Sequence, residues 1–130
     1  MHSAADQETI LVVEDEAIIR MSTVAILEDA GYGVIEAQNS AEALEQLSQC
    51  AEIGIMLTDV RMPGRMNGLS LVTRVLADYP AVRAIVMSAH STAKEARDAG
   101  ALGFVCKPYM PQTIIRVIRD LGLRPSWSCA

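Results

Sequence analysis

Five side chains in this sequence have the types needed for joint chemistry: the carboxylates of Glu14, Asp15 and Asp59, the hydroxyl of Ser88 and the amine of Lys107. Each stands just past a short apolar run. Ile10-Leu11-Val12-Val13 leads into Glu14-Asp15, and Ile55-Met56-Leu57-Thr58 into Asp59. Ala84-Ile85-Val86-Met87 leads into Ser88, and Gly103-Phe104-Val105-Cys106 into Lys107. Three carboxylates gathered at one edge repel one another and raise each other's pKa unless a cation joins them. Carboxylates with carbonyl and water oxygens are the ligand set of Mg²⁺. A lysine offers an anion a point positive charge, and a hydroxyl offers a donor. A divalent cation, a lysine and a hydroxyl around one carboxylate suit a phosphoryl group held on that carboxylate, because a carboxylate can act as nucleophile and become an aspartyl phosphate. Metal and amine then neutralise the charge of the transferring group.

These groups meet only if the apolar runs are neighbouring parallel strands that end at the same edge. Short, continuously apolar, β-branch-rich runs separated by helical stretches read as strands of a parallel sheet buried on both faces, and in such sheets ligands bind at the carboxyl ends of the strands. Glu16 to Ala30 places Ile18, Met21 and Ala25 on one helical face, with Gly31 as its stop. Val34 and Ile35 make a short second strand; Asn39 or Ser40 caps the next helix, whose inner face is Ala43, Leu44 and Leu47. Ile53 to Thr58 is the third strand, followed by a loop with Pro63, Gly64 and Gly68 and a helix marked by Leu69, Val72 and Leu76, which Pro80 closes. The fourth helix, Ser91 to Ala99, has only alanines inward (Ala93, Ala96, Ala99), so weak packing is expected. Pro111 opens the last helix, with Ile114, Ile118 and Leu121 inward and Gly122 as its stop.

Five βα units therefore fill the chain, and right-handed crossovers leave an open, doubly wound sheet as the natural arrangement. Five strands suit the flavodoxin-like order 2-1-3-4-5, whose switch point between strands one and three is where Glu14, Asp15 and Asp59 sit. The expected organisation is a flexible N-terminus over 1–8, one domain over 9–122 and a short tail over 123–130, with Trp127 either covering an apolar patch near the last helix or exposed.

Composition excludes several classes. The 130 residues are 51% hydrophobic, enough to bury a core without disulfides or structural metal. A net charge of −5, with Arg116, Arg119 and Arg124 spread along one helix and its exit, argues against nucleic acid as a partner. No apolar run approaches a membrane span, and Met1 to Glu8 is polar and acidic, unlike a signal peptide. A cytoplasmic protein with no membrane partner is expected. Cys50, Cys106 and Cys129 are too few and scattered for a disulfide framework, so reduced thiols are expected, with Cys106 simply packed in its strand.

Taken in order, these residues make the chain resemble the receiver domain of two-component response regulators, of the stand-alone type, over about Thr9 to Gly122. The acidic pair matches Glu14-Asp15. The phosphoacceptor motif matches Thr58-Asp59-Val60-Arg61-Met62-Pro63, the hydroxyl after strand four matches Ser88, and the lysine-proline matches Lys107-Pro108. Phe104, three residues before that lysine, matches the switch aromatic. The resemblance implies phosphorylation of Asp59 by a histidine kinase or a histidine phosphotransfer protein, with Ser88 and Lys107 assisting. It implies Mg²⁺, with Mn²⁺ as a substitute, held by Asp15, Asp59 and the backbone carbonyl of Arg61, with Glu14 acting through water. Ser88 and Phe104 are then the switch, and Arg61 and His90 set the lifetime of the phosphorylated state.

The chain also departs from the family pattern. Its loop Pro63-Gly64-Arg65-Met66-Asn67-Gly68 has one more residue than the commonest version, and Ser88 to Lys107 is shorter than usual by roughly one helical turn. With no effector after Gly122, output is expected through docking: as a relay intermediate, a phosphate sink, a regulator of a downstream protein, or a phosphorylation-dependent dimer. Such a protein is a phosphoacceptor rather than an enzyme, beyond catalysing its own phosphorylation and dephosphorylation. Two other classes compete. A Mg²⁺-dependent phosphatase with an aspartyl nucleophile, of the haloacid-dehalogenase type, wants Asp-x-Asp where this chain has Asp59-Val60-Arg61. A flavin-binding module of the same fold wants a phosphate-cradling Ser/Thr/Gly run after strand one, where acids stand instead. Ser88 and His90 lack the nucleophile-elbow glycines of a hydrolase.

Overall fold

The computed structural model describes residues 8–62, 64, 66–89, 91–121 and 125–128. The chain alternates β1 (Thr9–Val13), α1 (Ala17–Asp29), β2 (Gly33–Ala37), α2 (Ser40–Gln49), β3 (Ile53–Asp59), α3 (Gly68–Asp78), β4 (Arg83–Ser88), α4 (Ala93–Ala99), β5 (Gly103–Cys106), α5 (Pro111–Asp120) and β6 (Ser126–Ser128). All pairings are parallel, in the order β2-β1-β3-β4-β5-β6. The central strands β1, β3 and β4 are buried on both faces, which is why their sequences are apolar without alternation. Leu11, Met56, Ala84 and Phe104 face α2, α3 and α4, whereas Ile10, Ile55, Ile85 and Val105 face α1 and α5. Among the described residues no helix is long and apolar enough to cross a membrane.

The sheet has six strands where five are expected. α5 returns the chain so that Ser126–Ser128 pairs parallel with β5, Trp127 lying opposite Phe104. Three residues with a single apolar position carry too little pattern to signal a strand; the pairing is set by their placement against the edge of β5. Trp127 packs on the core beside Phe104, with the Arg97 guanidinium 5.2 Å from its ring centroid. Ser126–Ser128 of the tail are thus part of the sheet.

Three other expectations are corrected. In α1 the inward residues are Thr23 and Leu27, with Ile19, Val24 and Ile26 half-buried, while Ile18 is 83% exposed, Met21 65% exposed, and Ala25 also exposed. α1 carries apolar residues all round, so two stripes fit a helical period, and the correct one is centred on a polar residue, Thr23. Glu8 is not loose, because its carboxylate pairs with the Arg83 side chain. Cys106 is disulfide-bonded rather than reduced, while Cys50 is free. The expectations for Met1 to Gln7, Pro63, His90, Gly122 and Arg124 lie outside the described residues.

Local signals explain the helix ends. Asn39 and Asn67 cap α2 and α3 by accepting from the Glu42 and Ser70 N–H groups at 2.8 and 2.9 Å. Thr92 and Glu95 form a reciprocal capping box on α4, a helix of seven residues in which only Ala96 is fully buried. Gly31 and Gly100 take the left-handed conformation just past α1 and α4.

Candidate functional site

Glu14 and Asp15 follow β1, Asp59 ends β3, Ser88 ends β4 and Lys107 follows β5, so the strand order brings all five to one edge. Glu14 is held from both sides. Its N–H donates to the Ala37 carbonyl at 3.0 Å, and its carbonyl accepts from Arg20 Nη1 at 2.8 Å, while Arg20 Nε reaches Glu36 at 3.0 Å. The Glu14 side chain is fully buried: Oε1 accepts from Lys107 Nζ at 2.8 Å and Oε2 from the Glu16 N–H at 3.3 Å. Lys107 Nζ also lies 3.2 Å from Asp59 Oδ2. Asp59 Oδ1 accepts from the Val60 N–H at 2.8 Å. Asp15 is exposed, yet Glu14, Asp15 and Asp59 each offer a ligand oxygen within 4.8 Å of the others.

Charge is unbalanced here. Burial pushes the Glu14 carboxyl above its ordinary value; Asp59's charge adds to that, and the hydrogen bond and charge of Lys107 do not fully offset it. Burial alone would lower the Lys107 amine, but its hydrogen bond to Glu14 and the charges of Asp59 and Glu14 outweigh burial and hold it above 10.5. Glu14 is raised first by burial and then by the charge of Asp59, whereas Lys107 is raised because a single ammonium faces more than one carboxylate. Hard oxygens with surplus negative charge fit a small divalent cation such as Mg²⁺.

Ser88 is almost fully buried, its Oγ accepting from the Ser91 N–H at 2.8 Å and its carbonyl from the Lys107 N–H at 2.9 Å. In register, Ser88 lies opposite Cys106, and Val86 opposite Phe104. Phe104 is completely buried. Arg61 is exposed two residues past Asp59, and His90 lies outside the described residues.

Sequence reasoning overlooked four residues that shape this edge. Arg20 orients Glu14 and Glu36. Gly68 lets the start of α3 lie against the end of β3, since a Cβ there would sit 1.9 Å from the Asp59 carbonyl oxygen. Tyr109 shares a 2.5 Å hydrogen bond with Thr23, tying the segment after Lys107 to α1. The one sequence signal for Tyr109 is its place directly after Lys107-Pro108, and Thr23 carries none. A shallow depression lined by Ile18, Ile19, Ser22, Ala89, Lys107 and Tyr109 adjoins the acidic group.

The model of the response regulator receiver domain matches residues 10–119. The chain is 34% identical over 117 residues to the chemotaxis protein CheY of Thermotoga maritima, covering 87% of this chain and 96% of that protein. It is 32% identical over 117 residues to the sensor kinase CckA of Brucella abortus, covering 87% of this chain but only 12% of the kinase's length. Among solved structures it is similar to a CheY-like receiver domain protein of Methanospirillum hungatei JF-1, with a TM-score of 0.81 and 26% identity, covering 88% of this chain and 93% of that one.

Proposed function

The chain belongs to the response regulator receiver domain family, and on that premise we propose that Asp59 is its phosphoacceptor. Members of this family are phosphorylation-switched signalling modules, and so is this chain. The observation that carries the residue assignment is Lys107 Nζ, set 2.8 Å from Glu14 and 3.2 Å from Asp59 within a group of three carboxylates.

An Asp59 carboxylate oxygen forms a bond to phosphorus as the P–N bond of a donor phosphohistidine breaks, the electron pair leaving on the imidazole nitrogen. Asp15, Asp59 and the Arg61 carbonyl would hold Mg²⁺, or Mn²⁺ in its place, with Glu14 acting through water, and the ion would supply positive charge to offset that of the transferring group. Lys107 exchanges its contact with the carboxylates for one with a phosphoryl oxygen, and the Ser88 hydroxyl leaves the Ser91 N–H to donate to another. Moving Ser88 disturbs its strand neighbours, and Phe104 on β5 passes that repacking to α4 and α5.

The donor is a histidine kinase or a histidine phosphotransfer protein in the cytoplasm. Exposed Ile18 and Met21 on α1, close to the depression beside Lys107, support a protein donor rather than a small molecule alone. Output is by docking to a downstream protein or by phosphorylation-dependent dimerisation, and the only reactions the chain catalyses are its own phosphorylation and dephosphorylation. The test is labelling by a panel of autophosphorylated histidine kinases with Mg²⁺ present. Asp59→Asn keeps the shape and removes the nucleophile, so label should vanish while circular dichroism is unchanged. Labelling of that variant at the native rate would sink the assignment.

A further inference from the structure

We propose that Arg20 is a positioning residue for the divalent cation, holding the Glu14–Asp15 peptide so that the Asp15 carboxylate stays among its fellow ligands. This role rests on the reading of Asp15 and Asp59 as cation ligands. Asp15 is the exposed member of the three carboxylates that offer oxygens within 4.8 Å of one another. Packing therefore does not fix its side chain, and its place depends on the backbone that carries it. That backbone is the short link Glu14-Asp15-Glu16 between β1 and α1.

Arg20 grips this link at its first peptide unit. Its Nη1 donates to the Glu14 carbonyl at 2.8 Å. A peptide unit is planar, so holding that oxygen constrains the direction in which Asp15 leaves. Arg20 lies one turn inside α1, where its own N–H donates to the Glu16 carbonyl at 2.9 Å, and its side chain reaches back to the link. The guanidinium is anchored in turn from β2, since Nε donates to Glu36 Oε1 at 3.0 Å. The Glu14 N–H donates to the Ala37 carbonyl, also on β2, at 3.0 Å. Glu14 is thus tied to β2 on both sides of its Cα, directly through its N–H and through Arg20 at its carbonyl. The contacts of the Glu14 carboxylate with Lys107 and the Glu16 N–H hold the side chain and leave this peptide to Arg20.

Arginine suits the task because its planar fork donates in two fixed directions at once, whereas lysine offers a single nitrogen on a flexible stem. The fork is well shielded, the Arg20 side chain being 14% exposed. Charge alone predicts the opposite behaviour. A cation beside the site repels Mg²⁺, so by Coulomb's law its removal would strengthen metal binding. Glu36 already offsets the Arg20 charge, so loss of position outweighs relief of repulsion. The sign of the effect therefore separates the two roles.

The test is calorimetric Mg²⁺ titration of the full, unphosphorylated chain, joined to amide hydrogen exchange without metal. Arg20→Ala should bind Mg²⁺ about tenfold more weakly, the usual scale for a group that orients a metal ligand. Arg20→Lys keeps the charge but not the fork and should lose most of the same factor; it carries the comparison if alanine unfolds the protein. In an Asp15→Asn background, adding Arg20→Ala should change the affinity by less than about twofold, because the ligand it positions is gone. Without metal, exchange over Glu14–Glu16 should be about fivefold faster in Arg20→Ala, the scale of one lost hydrogen bond. Binding as tight as the parent's in Arg20→Ala or Arg20→Lys, an additive loss in the double variant, or unchanged exchange would each overturn the role. Exchange involves neither cation nor phosphoryl donor, so its failure condemns the positioning alone. Mg²⁺ binding left untouched by Asp15→Asn would overturn the ligand assignment and this role with it.

Discussion

Lys107 Nζ donates to Glu14 Oε1 at 2.8 Å across 93 residues of sequence, and in doing so it closes a triangle with Asp59 at 3.2 Å. The lysine thereby holds apart two carboxylates that would otherwise repel. It stays charged because both acids favour its ammonium, whereas Glu14, fully buried, still resists ionisation. The edge is thus poised to take up more positive charge.

Mg²⁺ affinity should depend on Asp15 more than on Glu14. Asp15 is exposed on a short arm, whereas Glu14 is committed to Lys107 and, on the proposed ligand set, would reach the cation only through water. Glu14→Gln should weaken Mg²⁺ by about tenfold, the usual scale for an indirect partner of a metal, and Asp15→Asn by more. Without metal, Glu14→Gln should raise the melting temperature, because it removes a desolvated carboxylate beside Asp59. Calorimetric titration giving the reverse order of affinities would refute the ranking.

Gly68→Ala should destabilise the fold and slow phosphorylation together. Alanine at an ordinary helix position gains up to about 1 kcal/mol over glycine. Here its Cβ would meet the Asp59 carbonyl oxygen at 1.9 Å and Val60 Cα at 2.9 Å, both backbone atoms that cannot swing aside. Forced overpacking of this kind costs about 1–3 kcal/mol, so the steric term wins. Urea unfolding should show the loss and acetyl-phosphate labelling a lower rate; a variant as stable as the parent would contradict the close approach.

Much of this was legible in sequence, and the misses have physical reasons. Double-sided burial makes β1, β3, β4 and β5 unmistakable, and since their ends share an edge, Glu14, Asp15, Asp59, Ser88 and Lys107 followed from strand identity alone. Periodicity failed in α1, where apolar residues surround the helix and Thr23 occupies the inward stripe by hydrogen bonding to Ile19 and Tyr109. β6 was invisible because its pairing is set by tertiary placement after α5. Gly68 read as a loop breaker, since only a folded β3 end reveals what its missing side chain leaves room for.

Alkaline pH should unfold the protein in a way that Tyr109 shapes. Burial raises the Tyr109 hydroxyl above 10.0, outweighing the Thr23 hydrogen bond and the Lys107 charge that lower it. Lys107 itself is raised above 10.5. Both groups are thus more protonated in the fold than in the unfolded chain, so their stabilisation is complete below 10.0 and 10.5 and is lost as pH rises through the higher folded values. Tyr109→Phe removes one of the two titrations, so stability should fall less steeply above about pH 10, by up to about 1.4 kcal/mol per pH unit. At pH 7 the same variant should be weaker by about 1 kcal/mol for the lost hydrogen bond. Denaturant titrations at several pH values decide it, and parallel alkaline slopes would exclude Tyr109 from the effect.

The lifetime of the phosphorylated state should be set at Arg61. Asp59 is nearly buried, so water reaches a phosphoryl group on it only from the solvent side, where Arg61 stands exposed two residues along the chain. In-line hydrolysis needs a water placed opposite the leaving carboxylate oxygen. A guanidinium is bulky and has donors but no acceptor, so it screens that approach and cannot orient a water by accepting its proton. Asparagine at the same position is smaller and carries a carboxamide oxygen that can hold such a water. Arg61→Asn should therefore hasten loss of label by about 1–2 kcal/mol of barrier, roughly five- to thirtyfold in rate. His90, two residues past Ser88 in sequence, is proposed to act on the same water with a sign that depends on its charge: neutral, it would hydrogen-bond the water; protonated, it would steady the phosphate. The comparison is therefore made at fixed Mg²⁺ and at a pH where histidine is neutral, and equal or slower loss of label from Arg61→Asn would show that Arg61 is no shield.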